Sequence, residues 1–185
     1  IKGPPGTGKT TLIEEGISKI LNRPYELIAL GGCGDSGFLD GHDYTYEGSK
    51  YGKIIDILIK AGCMNPVILF DELDKLSDSF KGQEITGVLT HLTDSTQNTK
   101  FTDKYMSEIS LDMSKALYIF SYNDESMVNP ILKDRMYKIE TKGYKTPEKL
   151  IIAKDYLLPK IRTLAKFEIG DIVFDDEVLE YIIND

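Results

Sequence analysis

The run Gly3-Pro4-Pro5-Gly6-Thr7-Gly8-Lys9-Thr10 matches the pattern G-x-x-x-x-G-K-[ST] in full, two residues from the start of a 185-residue chain. Few short motifs constrain a fold as strongly, because such a loop works only between a strand and a helix, with its backbone N–H groups turned inward. The residues behind it have the helical period. Leu12, Ile13, Ile17, Ile20 and Leu21 share one face of an expected helix over 11–21, whose N-terminus points at the loop. Phosphate is the ligand that this arrangement suits. The amides would surround the β- and γ-phosphates of a nucleotide, Lys9 would add a positive point charge, and Thr10 would offer its hydroxyl to Mg²⁺. The expected phosphate-binding set is therefore Gly3, Pro4, Pro5, Gly6, Thr7, Gly8, Lys9, Thr10 and Thr11. The strand that should precede the loop is reduced to Ile1 and Lys2, and there is no initiator Met, so the chain is expected to be a fragment.

Composition narrows the class. An apolar fraction of 41% is ordinary for a folded domain, and the length admits one α/β core with a small appendage. A net charge of −8 argues against a surface that tracks nucleic-acid backbones, which calls for a basic face. No apolar run approaches the ~18–20 residues of a membrane span, and nothing at the start has the form of a signal peptide. Cys33 and Cys63 lack metal-ligand spacing and are expected to be free thiols in a reducing, intracellular compartment. His42 and His91 are expected to be structural.

Along the chain, a strand is expected over 25–30, then a glycine-rich loop over 31–37 and a polar, tyrosine-bearing stretch over 40–50. Ile54, Ile55, Ile57, Leu58 and Ile59 give a mostly buried helix over 53–60 that stops near Gly62. Val67-Ile68-Leu69-Phe70 is a continuous apolar run, as in a parallel strand covered on both faces. A second such run lies over 116–120 and a weaker one over 136–140, with a helix over 85–92 between. Strands alternating with helices behind a phosphate loop predict a parallel α/β sheet. From Pro147 the sequence turns helical, with a short apolar stretch at 172–174 and a last helix over 175–183. Two domains follow, an α/β domain over 1–143 and the start of a helical lid over 144–185. No internal repeat is evident.

The apolar strand over 67–70 ends in Asp71-Glu72, and two adjacent acids beyond a phosphate loop divide the work of such a site. Asp71 would hold the Mg²⁺ shell, and Glu72 would polarise water as a base. Asp74 reads as a solvated acid at the strand end. Ser121-Tyr122-Asn123 ends the next strand, where the Asn123 amide fits a water-positioning or phosphate-sensing role, although alone it would be a turn residue. Arg135 is either a surface ion-pair residue or a group that completes a neighbouring subunit's site.

With these motifs in place, the sequence resembles the AAA+ ATPase module of the Lon family of ATP-dependent proteases along its whole length. The carriers are GPPGTGKTTL, LNRPYELIALGG, GHDYTYEG, NPVILFDELDK, DMSKALYIFSYN, the LKDRM segment and the TPEKLIIAKDYLLPK stretch. The resemblance implies a five-stranded parallel sheet, its first strand mostly missing, with a truncated helical lid. It also implies ATP and Mg²⁺ as cofactors, Lys9 and Thr10 on the phosphates and Mg²⁺, Asp71 and Glu72 as Walker B acids, Asn123 as sensor 1, and Arg135 as an arginine finger. A homo-hexamer that threads unfolded protein through its pore is implied too, with Tyr46-Glu47 as the gripping pair. Glu47 stands where an apolar residue is usual, and Asp43-Tyr44 replaces a basic pair. A second pore loop is expected near 77–82, with Phe80 as its candidate, and a sensor-2 arginine would fall beyond Asp185, Arg162 being too early.

The expected activity is ATP hydrolysis coupled to protein unfolding, in a parent that is an ATP-dependent serine protease whose protease domain is absent from this chain. No nucleic acid and no membrane are expected as partners. Two other classes remain open: a nucleotide-binding scaffold that does not hydrolyse, and a nucleic-acid-directed ATPase of the loader type.

Overall fold

The computed structural model describes residues 1–45, 48–76, 79–168, 170–171 and 173–184. The chain divides into two compact units, Ile1–Thr141 and Lys142–Asp185.

The first unit holds strands β1 (Tyr25–Ala29), β2 (Val67–Asp71), β3 (Phe101–Thr102), β4 (Ser110–Leu111) and β5 (Leu117–Phe120). β1, β2 and β5 form a parallel sheet in the order β1-β2-β5, with Leu69 facing Leu27 on one side and Ile119 on the other. The apolar run explains the central place of β2. Val67 and Leu69 pack with Ile13 and the half-buried Ile17 and Ile119 on one face, while Ile68 and Phe70 join Ile28, Ile54, Ile57, Leu89 and Phe120 on the other. Side chains of alternate direction are thus buried on both faces, each worth about 1.5–3 kcal/mol relative to exposure. Phe70 and Phe120 stack with ring centroids 5.1 Å apart.

The sheet continues past β5 through single residues. The Tyr122 amide donates to the Ile1 carbonyl at 3.2 Å and the Gly3 amide to the Tyr122 carbonyl at 3.2 Å, while the Lys2 amide reaches the Ile139 carbonyl and the Thr141 amide the Lys2 carbonyl, both at 2.8 Å. Lys2 therefore makes parallel bridges to Tyr122 and Glu140. The five expected segments are present as three regular strands and two bridging ones. Two residues ahead of the loop are too few for a ladder, and the segment over 136–140 has only them to pair with.

The helix behind the loop runs over 9–21, as Lys9–Thr11, a wider π-type turn Leu12–Ile17 and Ser18–Leu21, and stops at Asn22 in a left-handed conformation. The helix Lys53–Ala61 stops at Gly62, whose φ of 63° and amide bond to the Leu58 carbonyl make a left-handed cap. The helix Phe80–Thr93 begins earlier than its apolar period suggests. Ser79 caps it by accepting the Gly82 amide at 3.3 Å, and the polar first turn carries no periodic signal. β3 and β4 pair antiparallel, and strands of two residues are too short for alternation to reveal.

The second unit holds a helical run over 146–165, opened by the Lys145 amide donating to the Glu148 carboxylate at 2.7 Å, and the helix Asp176–Asn184. Lys154 pairs with Asp176, and the Thr146 hydroxyl meets the Asn184 amide oxygen at 3.3 Å. Ile172, in the expected apolar stretch over 172–174, lies outside the described residues.

Candidate functional site

The loop between the Lys2 bridge and the helix over 9–21 takes its shape from its glycines. Gly6 and Gly8 have φ of 75° and 74°, a region that other L-residues rarely adopt. Gly3 is required for a different reason, because a Cβ there would run into the Thr141 hydroxyl and carbonyl. The Thr7 hydroxyl donates to the Pro4 carbonyl at 2.9 Å and closes the turn. Among the described residues, the amides of Gly6 and Gly8 meet no acceptor. Both residues line a cleft of about 420 Å³, with the rest of residues 5–11, Asp71, Glu72, Tyr122 and Asn123.

Lys9 reaches back across its own loop. Its Nζ donates to the Gly3 carbonyl at 2.7 Å, the Pro4 carbonyl at 3.0 Å and Asn123 Oδ1 at 2.8 Å. The fold therefore joins the start of the chain and the end of β5, 114 residues apart, at one ammonium group.

β2 delivers the two acids. Asp71 is half-buried, and its Oδ1 accepts the Ser121 hydroxyl and the Glu72 amide, the latter at 2.9 Å. Glu72 is exposed and has φ of 59°, one of few non-glycine residues in the left-handed region. Its carboxylate lies over Gly31, where any Cβ would collide with Oε2. Strain of this kind costs of order 1–3 kcal/mol and persists where surrounding contacts over-determine the backbone. Here they do: the Leu73 amide donates to the Ser121 carbonyl at 3.1 Å and the Lys75 amide to the Glu72 carbonyl at 2.9 Å.

Asp74 is not the solvated acid that the sequence suggested. Only 5% exposed, it accepts the amides of Asn123 and Asp124 on Oδ2 at 3.3 and 3.1 Å. Ser121 is fully buried beside Asp71. Both contacts depend on the β2–β5 register, which leaves no local pattern in the sequence.

The donor set fits a phosphate with a divalent cation, since unpaired loop amides, an ammonium, a hydroxyl at Thr10 and a carboxylate at Asp71 share one cleft. Arg135 lies elsewhere. Its guanidinium is 3.1 Å from Asp94 Oδ2, in a separate cleft beside β5 and Tyr137. The Thr96 hydroxyl and amide, with Arg135 beside them, hold the Asp94 carboxyl below the usual carboxylate range.

Tyr46 and Glu47 lie outside the described residues, as do Ser77 and Asp78 of the second expected loop. The flanks of the first are anchored: the Gly52 amide donates to buried Asp103 at 2.8 Å, and the Ser49 hydroxyl to the Asp43 carbonyl at 2.7 Å. Phe80 is exposed at the start of its helix. Cys33 and Cys63 are free thiols, His91 lies against Phe101, and His42 packs on Gly37. Among the described residues, no helix is long and apolar enough to cross a membrane, and no cluster of three or more His, Cys, Asp or Glu side chains could hold a metal by itself.

The model of the family described as "ATPase family associated with various cellular activities (AAA)" matches residues 1–144. The sequence is 41% identical to the Lon protease homolog of Acanthamoeba polyphaga mimivirus over 183 residues, which are 98% of this chain and 18% of that protein. It is 44% identical to the Lon protease of Campylobacter concisus over 99% of this chain and 22% of the relative, and 44% identical to that of Clostridioides difficile over 98% and 23%. The chain thus spans about a fifth of the length of these relatives. A matched family model over the whole strand-and-loop unit, joined to that likeness, places the chain in the AAA family of ATPases, similar along nearly its full length to the Lon proteases.

Proposed function

We propose that this chain is the Mg²⁺-dependent ATP-hydrolysing module of a Lon-like protease, with Ile1–Thr141 as its nucleotide-binding part and Lys142–Asp185 as the start of a helical lid. The observation that carries the reading is the convergence of Lys9, Asp71, Glu72 and Asn123 on one cleft beside amides without acceptors. In this reading Lys9 exchanges the Gly3 and Pro4 carbonyls for phosphate oxygens, so the ammonium never lacks partners. Thr10 and Asp71 would hold Mg²⁺, which when bound supplies positive charge against the β- and γ-phosphates. Asn123 orients the attacking water, and Glu72 accepts its proton. Arg135, outside its own cleft, fits a role in a neighbouring subunit's site, which requires an oligomer. A homo-hexamer is the assembly proposed, with Tyr46 and Glu47 on a pore loop that grips unfolded protein rather than nucleic acid. The free thiols suit a reducing, intracellular compartment.

The test is Glu72→Gln in the full-length protein. ATP turnover should fall about 10²- to 10⁴-fold while ATP binding persists, since the loop and Lys9 are untouched. Equal turnover in both proteins would remove Glu72 from the mechanism, and ATP binding without turnover in the wild type would favour a scaffold that does not hydrolyse. Stimulation of turnover by DNA but never by unfolded protein would favour a loader-type ATPase.

A further inference from the structure

Asp74 is the buried acid of the site to which no phosphate, metal or water chemistry has been given. It sits on the single turn Leu73–Lys75, which the left-handed backbone of Glu72 folds back beneath the end of β5. There one of its oxygens takes two successive amides, those of Asn123 and Asp124, at 3.3 and 3.1 Å. Its other oxygen is buried and meets no donor among the described residues. A fold selected for stability alone does not gain from burying a carboxylate with one oxygen unmet. What the arrangement does provide is a fixed backbone at Asn123, whose side-chain oxygen meets Lys9 Nζ at 2.8 Å.

We propose that Asp74 is a positioning residue, fixing Asn123 through its backbone so that the amide side chain stays aimed at the cleft. The chain leaves β5 at Phe120, so the sheet ladder no longer constrains residue 123. Asp74 replaces that constraint from the turn that directly follows Glu72. Ser121 makes a separate contact, to Asp71, so the buried Asp74 and Ser121 beyond the ends of β2 and β5 serve different members of the site. Asp74 does not itself line the cleft; it reaches the cleft through the backbone amide of Asn123, which does.

The proposal rests on the reading of Asn123 given above, and the experiment separates the two. Steady-state ATP turnover is measured in the full-length protein carrying Asp74→Ala, Asp74→Asn, Asn123→Ala, or both alanines together. Asp74→Ala should lower kcat about tenfold or more with KM for ATP little changed, the loss expected when a charge-assisted hydrogen bond that matters in the reacting complex is removed. Asp74→Asn keeps an acceptor for both amides and should recover most of kcat. In the Asn123→Ala background, Asp74→Ala should cost nothing further, because residues that act as one unit are not additive.

A full extra loss in the double variant, or an Asp74→Asn protein as poor as Asp74→Ala, overturns the proposal. So does an impaired Asn123→Ala beside an unimpaired Asp74→Ala, which leaves the reading of Asn123 standing. A fully active Asn123→Ala sinks that reading and the proposal with it. If Asp74→Ala does not fold, hydrogen exchange of the wild type decides: the amides of Asn123 and Asp124 should exchange about tenfold or more slowly than those of an exposed loop, and unprotected amides overturn the proposal.

Discussion

At the scale of single residues, the conformation of Glu72 has a consequence for Gly31. The Glu72 carboxylate occupies the space that a Cβ at position 31 would need, so Gly31→Ala must push that carboxylate aside. The atom in hard collision is the far end of an exposed, flexible side chain, and the Lys75 Cβ at 3.3 Å need give only slightly, so the fold should tolerate the change within about 1 kcal/mol. Turnover should nevertheless fall about tenfold or more if Glu72 is the base, because a misplaced base loses most of its worth. Thermal unfolding and ATPase assays on one preparation check this, and unchanged turnover would mean that Glu72 works from another position. This requirement for glycine could not be read from the run Gly31-Gly32-Cys33-Gly34, since it arises from a residue 41 positions away. Lys9, Asp71 and Glu72 were legible because contiguous motifs carry them. Asp74 and Ser121 were not, because their meaning lies in the pairing of β2 with β5.

At the scale of elements, the short segment before the loop is held by charge as well as by backbone. Lys2 lies 2.9 Å from Glu125, and Lys138 lies 3.0 Å from both Glu125 and Glu140. Hydrogen bonds from Lys2 and then Lys138 hold the Glu125 carboxyl below the usual carboxylate range, and Lys138 does the same for Glu140. A carboxyl whose pKa is depressed by folding stabilises the fold fully above its unfolded pKa, about 4.3 for Glu, and loses that contribution as pH falls through the lower folded value. Glu125→Gln should therefore lower the melting temperature near neutrality, modestly because such exposed pairs are screened, and the two proteins should converge as pH falls below about 4, so that the acid limb of the variant is the flatter. An unchanged acid limb would show that the network adds nothing. The strands over 25–29, 67–71 and 117–120 were legible from apolar runs because burial on both faces leaves no polar positions. The segment over 136–140 reads as a strand by composition, yet pairing through one residue limits it to a bridge. The helix Phe80–Thr93 hid its first turn in polar residues that only the Ser79 cap makes helical.

At the scale of the whole molecule, the role proposed for Arg135 distinguishes a self-sufficient site from an assembled one. It pairs with Asp94 and lies outside the cleft of its own chain. If it completes a neighbour's site, mixing full-length Arg135→Ala and Glu72→Gln subunits should restore some turnover, since each supplies what the other's partner site lacks. An arginine supplied across an interface is worth about 10³- to 10⁵-fold in related chemistry, so the gain over either variant should be plain. No gain, or full activity of dilute monomer, would return Arg135 to a role as the partner of Asp94. Substrate grip belongs to the same scale: if Tyr46 grips unfolded protein in the proposed hexamer, Tyr46→Ala in the full-length protein should leave ATP turnover within a few-fold while abolishing unfolding of a tagged protein, because an aromatic side chain offers sequence-tolerant contact and has no part in the proposed hydrolysis. Each of the predicted changes in ATP turnover depends on nucleotide entering the loop cleft. Calorimetric titration of ATP and Mg²⁺ into wild type and Lys9→Ala measures that directly. Binding by the wild type and a loss of about tenfold or more in the variant are predicted, since a charge-assisted contact to phosphate is removed; equal affinities would contradict the assignment of the cleft.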